Sequence, residues 1–176
     1  MALPPLIPVG PEVILKPASP WFVLFTIVIA LLLNLLPVTG MALTLRPDLL
    51  ALILLYWCIH EPRLVGVGTA WFFGLIMDVA DATVFGQHAL AYAVLAFAAD
   101  YLRRRVLRFP LWAQAVQVVL LLLLCAGLVA LVRVVGGARL PHWSYMASPL
   151  IAAALWPLIS VVLQVPQQPR RSASEF

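Results

Sequence analysis

A chain of 176 residues that is 64% hydrophobic and only 10% charged, with a mean hydropathy of +1.06, is not an ordinary soluble domain, which is about half apolar and a quarter charged. Long apolar runs predict a polytopic membrane protein, and of the two structures that satisfy their own backbone in lipid they fit an all-α helical bundle, because the alternation of barrel strands is missing. The net charge of +4 resides in basic residues that flank apolar runs, where they act as topology signals and give no indication of nucleic-acid binding.

Residues 1–20 contain six prolines, which forbid a regular helix and predict a weakly ordered arm. Lys16 is the arm's single basic residue, Glu12 lies before it, and Pro37 follows the first apolar run without a small-residue cleavage site. The run therefore reads as an uncleaved first span, Trp21–Leu36, and not as a signal peptide. Arg46-Pro47-Asp48 carries helix-start chemistry and opens a second span, Asp48–Ile59, which ends on Tyr56-Trp57 in the manner of an interfacial belt. Its 12 residues rise about 18 Å against about 30 Å of hydrocarbon. A third span covers Leu64–Ala80 and a fourth Thr83–Asp100, followed by a basic loop with Arg103, Arg104, Arg105 and Arg108. The fifth, Leu111–Val135, is the longest, and a loop with Arg139, Pro141 and His142 leads to the sixth, Trp143–Val165.

The domain plan is therefore a cytoplasmic arm (1–20), a transmembrane bundle (21–165) and a polar, disordered tail (166–176). The positive-inside rule makes Arg103, Arg104, Arg105 and Arg108 cytoplasmic anchors. With six spans and a cytoplasmic amino terminus, Arg46, Arg133 and Arg139 fall outside and the other eight of the eleven basic residues inside. Five spans, with the second run only dipping in, score equally by exchanging Lys16 for Arg46. Six is preferred because the second run has a complete helix start and an aromatic end.

Gly66, Ala70, Gly74 and Asp78 recur every fourth residue and form one ridge of a helix. In lipid, close backbone approach across small residues drives helix association, so the ridge predicts a packing seam, against either a helix of this chain or a partner's. Asp78 reads as a carboxylate kept wet or locally hydrogen-bonded near the headgroups, as a polar anchor within the bundle, or as an ion site. Asp78 and Asp81, one turn apart on one helix, do not form the facing pair that an intramembrane aspartyl protease needs. His88 lacks a second histidine and predicts a bundle residue, not a metal ligand. Asp100 is spaced for local ion pairing with Arg103 and Arg104. Asn34, Gln114 and Gln117 predict interhelical hydrogen bonds, and Cys58 and Cys125 read as small apolar residues. No metal, phosphate-loop or nucleophile motif argues for an enzyme or a cofactor.

Taken in order, R-P-D-L-L (46–50), L-L-Y-W (54–57), P-R-x-V-G-V-G (62–68), G-L-I-M-D (74–78), G-Q-H-A-L (86–90) and L-W-A-Q-A (111–115) resemble the MreD family. That resemblance covers roughly residues 21–165 and leaves the proline-rich arm outside. It implies a non-enzymatic scaffold of the bacterial inner membrane, serving the cell-elongation system and peptidoglycan synthesis along the lateral wall. The implied partner is MreC and, through it, MreB, RodA and a penicillin-binding transpeptidase. It also implies a bundle similar to the substrate-binding membrane subunits of energy-coupling-factor transporters. A small-solute-binding or transporter subunit is thus the alternative function.

Overall fold

The computed structural model describes residues 18–37, 46–82, 85–137 and 143–167. Arm residues 1–17, tail residues 168–176, Thr83 at the expected start of the fourth span, and Arg139, Pro141 and His142 lie outside the described residues.

Pro20 opens α1 (Pro20–Leu35), where its missing N–H is one that the first turn could not pair anyway. Pro37 ends it by pushing Leu36 into extended backbone, with φ −60° and ψ 130°. Asp48 caps α2 (Leu49–His60) by accepting from the Ala51 N–H at 2.9 Å. α3 (Val67–Ala80) starts later than the apolar run does. Leu64 and Val65 are spent in the turn after Pro62, where both donate to the Glu61 carbonyl.

α4 (Gln87–Val106) follows Gly86, whose φ of +96° lies in the region that only glycine enters without a Cβ penalty. It does not stop at Asp100. Arg103, Arg104 and Arg105, expected in a loop, form its last turn, because arginine favours helix and its charge suits the negative helix end. Only Arg108 falls in the short turn before Pro110. α5 (Leu111–Val135) matches its expected span. The sixth span is divided. A 3₁₀ turn (Trp143–Met146) leads into α6 (Ala147–Ala154), and α7 (Trp156–Gln164) continues beyond Leu155. Pro157 causes the break, since it removes an N–H and crowds the carbonyl one turn back.

Leu111–Val135 and Ala147–Gln167 are long and apolar enough to cross a bilayer, while α1, α2 and α3 are shorter apolar helices. The short second helix takes the centre. Every residue from Leu50 to Ile59 is buried, with α1, α4, α5 and α6 packed around it. Tyr56 and Trp57 accordingly sit in the core and form no interfacial belt. Their rings meet edge-on at 5.0 Å, and Tyr56 lies 5.9 Å from Trp156. The Trp57 indole donates to Thr26 Oγ1 at 2.9 Å, so its one donor is satisfied where water is absent. α3 packs chiefly on α4, and its Ala70, Phe73 and Met77 join the same core.

Candidate functional site

Burying a short helix leaves its terminal N–H and C=O groups without water, so other helices must supply the partners. At the Asp48 end of the bundle they do. Asp48 accepts from Asn34 Nδ2 of α1 at 2.7 Å and from the Tyr92 hydroxyl of α4 at 2.7 Å, in addition to the Ala51 N–H. Asn34 Oδ1 takes the Leu49 N–H at 3.1 Å. Arg46 donates through Nη1 to the Leu36 carbonyl at 2.8 Å and through Nη2 to that of Leu33, which closes the negative end of α1 with a positive charge. Ser148 of α6 donates to the Arg46 carbonyl at 2.6 Å.

Asp78 plays the same part for α4. Gly86 has no side chain to cap that helix, and the carboxylate reaches across from α3 instead. It accepts from the N–H groups of Gly86 (2.9 Å), His88 (2.8 Å) and Ala89 (3.3 Å), and lies 2.9 Å from His88 Nδ1. Asp78 is 1% exposed, so of the three readings open to it the geometry is that of a hydrogen-bonded anchor. A negative charge here also meets the positive end of the α4 dipole.

The ridge behind Asp78 serves the same contact. A Cβ on Gly74 would stand 2.5 Å from Ala89 Cα and 2.7 Å from the His88 carbonyl carbon, so the two backbones touch where only glycine fits. Ala70 is fully buried. Gly66 lies just before α3 as its cap, and a Cβ there would meet only the Pro62 carbonyl at 3.9 Å.

From Asp78 the polar contacts run through His88 to Gln87, whose Oε1 accepts from Arg133 Nε of α5 at 3.2 Å. All helices from α1 to α6 thus contribute to, or are tied at, this end. Asp81 differs from Asp78. It is exposed, and among the described residues its carboxylate accepts no hydrogen bond. Arg46, Asp48, Asp81 and Arg133 line an open cleft of about 150 Å³ together with Asn34 and His88.

The Arg103 end closes α2 from the other side. Arg103 Nε donates to the Ile59 carbonyl at 2.6 Å, and Glu61 accepts from the Ala18 N–H at 3.0 Å. Among the described residues no ion pair joins Asp100 to Arg103 or Arg104; Arg103 turns inward to the helix end instead. Gln114 bridges helices as expected, accepting from the Trp156 indole at 3.1 Å, while Gln117 is half-buried. Read from sequence, Asp48 has only a local role at a helix start and Tyr92 has none. An acid at a helix start and an amide late in the preceding span were the visible signals, but their meeting was not.

The half-buried carboxylate of Asp48 and the buried one of Asp78 are thus both occupied by donors from neighbouring groups. Among the described residues no His, Cys, Asp and Glu group could hold a metal ion.

A family profile described as "MreD: rod shape-determining protein MreD" matches residues 16–165. The "Rod shape-determining protein MreD" of Haemophilus influenzae is 31% identical over 147 residues, which span 82% of this chain and 90% of that protein. No solved structure matches the chain, so the likeness to transporter subunits rests on the sequence resemblance alone.

Proposed function

Because the chain belongs to the MreD family, the non-catalytic rod shape-determining proteins of the cell-elongation system, we propose that it works as a scaffold of the bacterial inner membrane. In this reading it has six spans and a cytoplasmic amino terminus. Arg103, Arg104, Arg105 and Arg108 hold the Arg103 end at the cytoplasmic face, in keeping with the positive-inside rule. It binds the membrane anchor of MreC, and through MreC it supports MreB, RodA and a penicillin-binding transpeptidase in peptidoglycan synthesis.

One observation carries this reading. The buried polar groups are largely spent on internal bonds, while the outward surface of the helices is apolar (Trp21, Phe25, Leu32, Phe72, Trp112 and Leu120 among many). Between the described helices the longest stretch of sequence is that from Leu35 to Leu49. What such a molecule offers a partner is helix faces within the bilayer. In this reading Ala70, Gly74 and Asp78 serve the packing of α3 on α4, Gly66 caps α3, and the partner takes an outward face. An apolar groove of about 250 Å³ between α1 and α7, floored by Leu49 and Ile53 of α2, gives a partner helix a place to interlock.

The test is co-purification with MreC from native membranes. Ile29→Trp and Val162→Trp fill the groove from its two exposed walls and should abolish recovery of MreC while the protein stays folded. Undiminished recovery with both replacements removes the groove from the interface. Loss of MreC from neither the groove variants nor variants of any other outward face defeats the scaffold reading.

A further inference from the structure

We propose that the cleft at the Asp48 end binds a small zwitterionic group, one that joins an anionic phosphate or carboxylate to an ammonium, as a phosphoethanolamine headgroup does. Size is the first constraint. The cleft holds about 150 Å³, roughly the volume that accepts one benzene ring and well below the roughly 300–1,000 Å³ of a pocket that encloses a drug-sized ligand. A headgroup-sized ion matches that volume.

Charge is the second constraint. Asp48 lines the cleft but already accepts from Asn34, Ala51 and Tyr92, so it has little left for a ligand. Arg133 spends its Nε on Gln87. Among the described residues its two Nη groups donate to nothing, which leaves the fork that matches a phosphate or carboxylate. Arg46 keeps N–H groups beyond those given to Leu33 and Leu36. Asp81 is the complement: a lining carboxylate, exposed, with no hydrogen bond among the described residues. One wall therefore offers an open guanidinium and another an open carboxylate. A plain anion would meet Asp81, and a plain cation would meet Arg133; only a ligand with both charges satisfies both.

Depth is the third. Arg133 lies in the last turn of α5, whose 25 residues rise about 37 Å and outreach the hydrocarbon. The cleft thus opens at headgroup level, where either a lipid headgroup or a dissolved zwitterion can enter.

The experiment uses the full chain purified in detergent and measures thermal unfolding with added phosphatidylethanolamine, phosphatidylglycerol or soluble O-phosphoethanolamine. Stabilisation by phosphatidylethanolamine and not by phosphatidylglycerol is expected, with apparent affinity falling about tenfold in Arg133→Gln and in Asp81→Asn. A shift with O-phosphoethanolamine as well identifies a free zwitterion as a sufficient ligand; a shift with the lipid alone identifies the headgroup in its membrane setting. Equal shifts with phosphatidylglycerol, no shift with any of the three, or an undiminished shift in Asp81→Asn overturns the proposal. Among the described residues the Asp81 carboxylate accepts no hydrogen bond, and its backbone N–H bond to the Met77 carbonyl survives the change, so its variant reports on the cleft even if Arg133→Gln fails to fold. MreC recovery is read separately, so a failure here leaves the scaffold reading standing.

Discussion

α2 and α5 are both apolar almost from end to end, yet they occupy opposite surroundings. In α2 no residue from Leu50 to Ile59 exceeds 8% exposure, whereas α5 keeps an outward row of Trp112, Val116, Leu120, Leu124, Leu131 and Val135 at 43–80%. Hydropathy reports aversion to water and says nothing about whether protein or lipid replaces it. What separates the two helices is their ends. α5 is long enough to carry its termini to the headgroups. α2, about half that length, has its termini met by Asn34, Tyr92 and Arg103 from other helices, and the price is a surrounding ring that must be built to fit.

The sharpest break of that comparison sets two glycines against each other. Gly74→Leu drives a side chain into the Ala89 backbone and should abolish a monodisperse folded species in size-exclusion chromatography, beyond the about 1–3 kcal/mol of ordinary overpacking. Gly127→Leu on α5, with nothing within 4 Å of its Cβ position, should elute unchanged. Next comes Asp78→Ala, which strands three N–H groups at the start of α4 and should cost about 4 kcal/mol by denaturant titration in mixed micelles. Its exposed neighbour changed as Asp81→Ala should cost under about 0.5 kcal/mol.

Leu55→Ala, at the fully buried centre of α2, should lower stability by about 3 kcal/mol through the cavity it leaves. Leu120→Ala on the outward row of α5 should stay within about 0.5 kcal/mol in the same titration; equal losses would mean that α5 is buried by protein in the isolated chain. The smallest effect is expected at the helix end. Arg103→Gln removes the donor to the Ile59 carbonyl and should cost about 1 kcal/mol, while Arg104→Gln, exposed, should leave the melting temperature where it is.

Much of this was legible in the residues. Pro37, expected to close the first span, ends α1, and the four-residue spacing puts Gly74 and Asp78 on one face of α3, where both meet the start of α4. Other readings failed for definite reasons. Tyr56 and Trp57 looked like a membrane-interface pair because aromatic residues at the end of an apolar run usually are one, but the run belongs to the central helix. The arginines after Asp100 looked like a loop because charge commonly ends a span, whereas nothing before Pro110 interrupts the helix.

Composition and periodicity, acting residue by residue, determined that this chain is helical, that it belongs in a membrane, and which of its surfaces are small enough to touch. Which apolar helix is wrapped in protein and which keeps an outward apolar row, and that Asp48 and Asp78 each hold a helix other than their own, only the tertiary structure decided. A hydrogen bond across 44 residues, such as Tyr92 to Asp48, leaves no trace in local spacing, because its partners become neighbours only after the helices between them have packed.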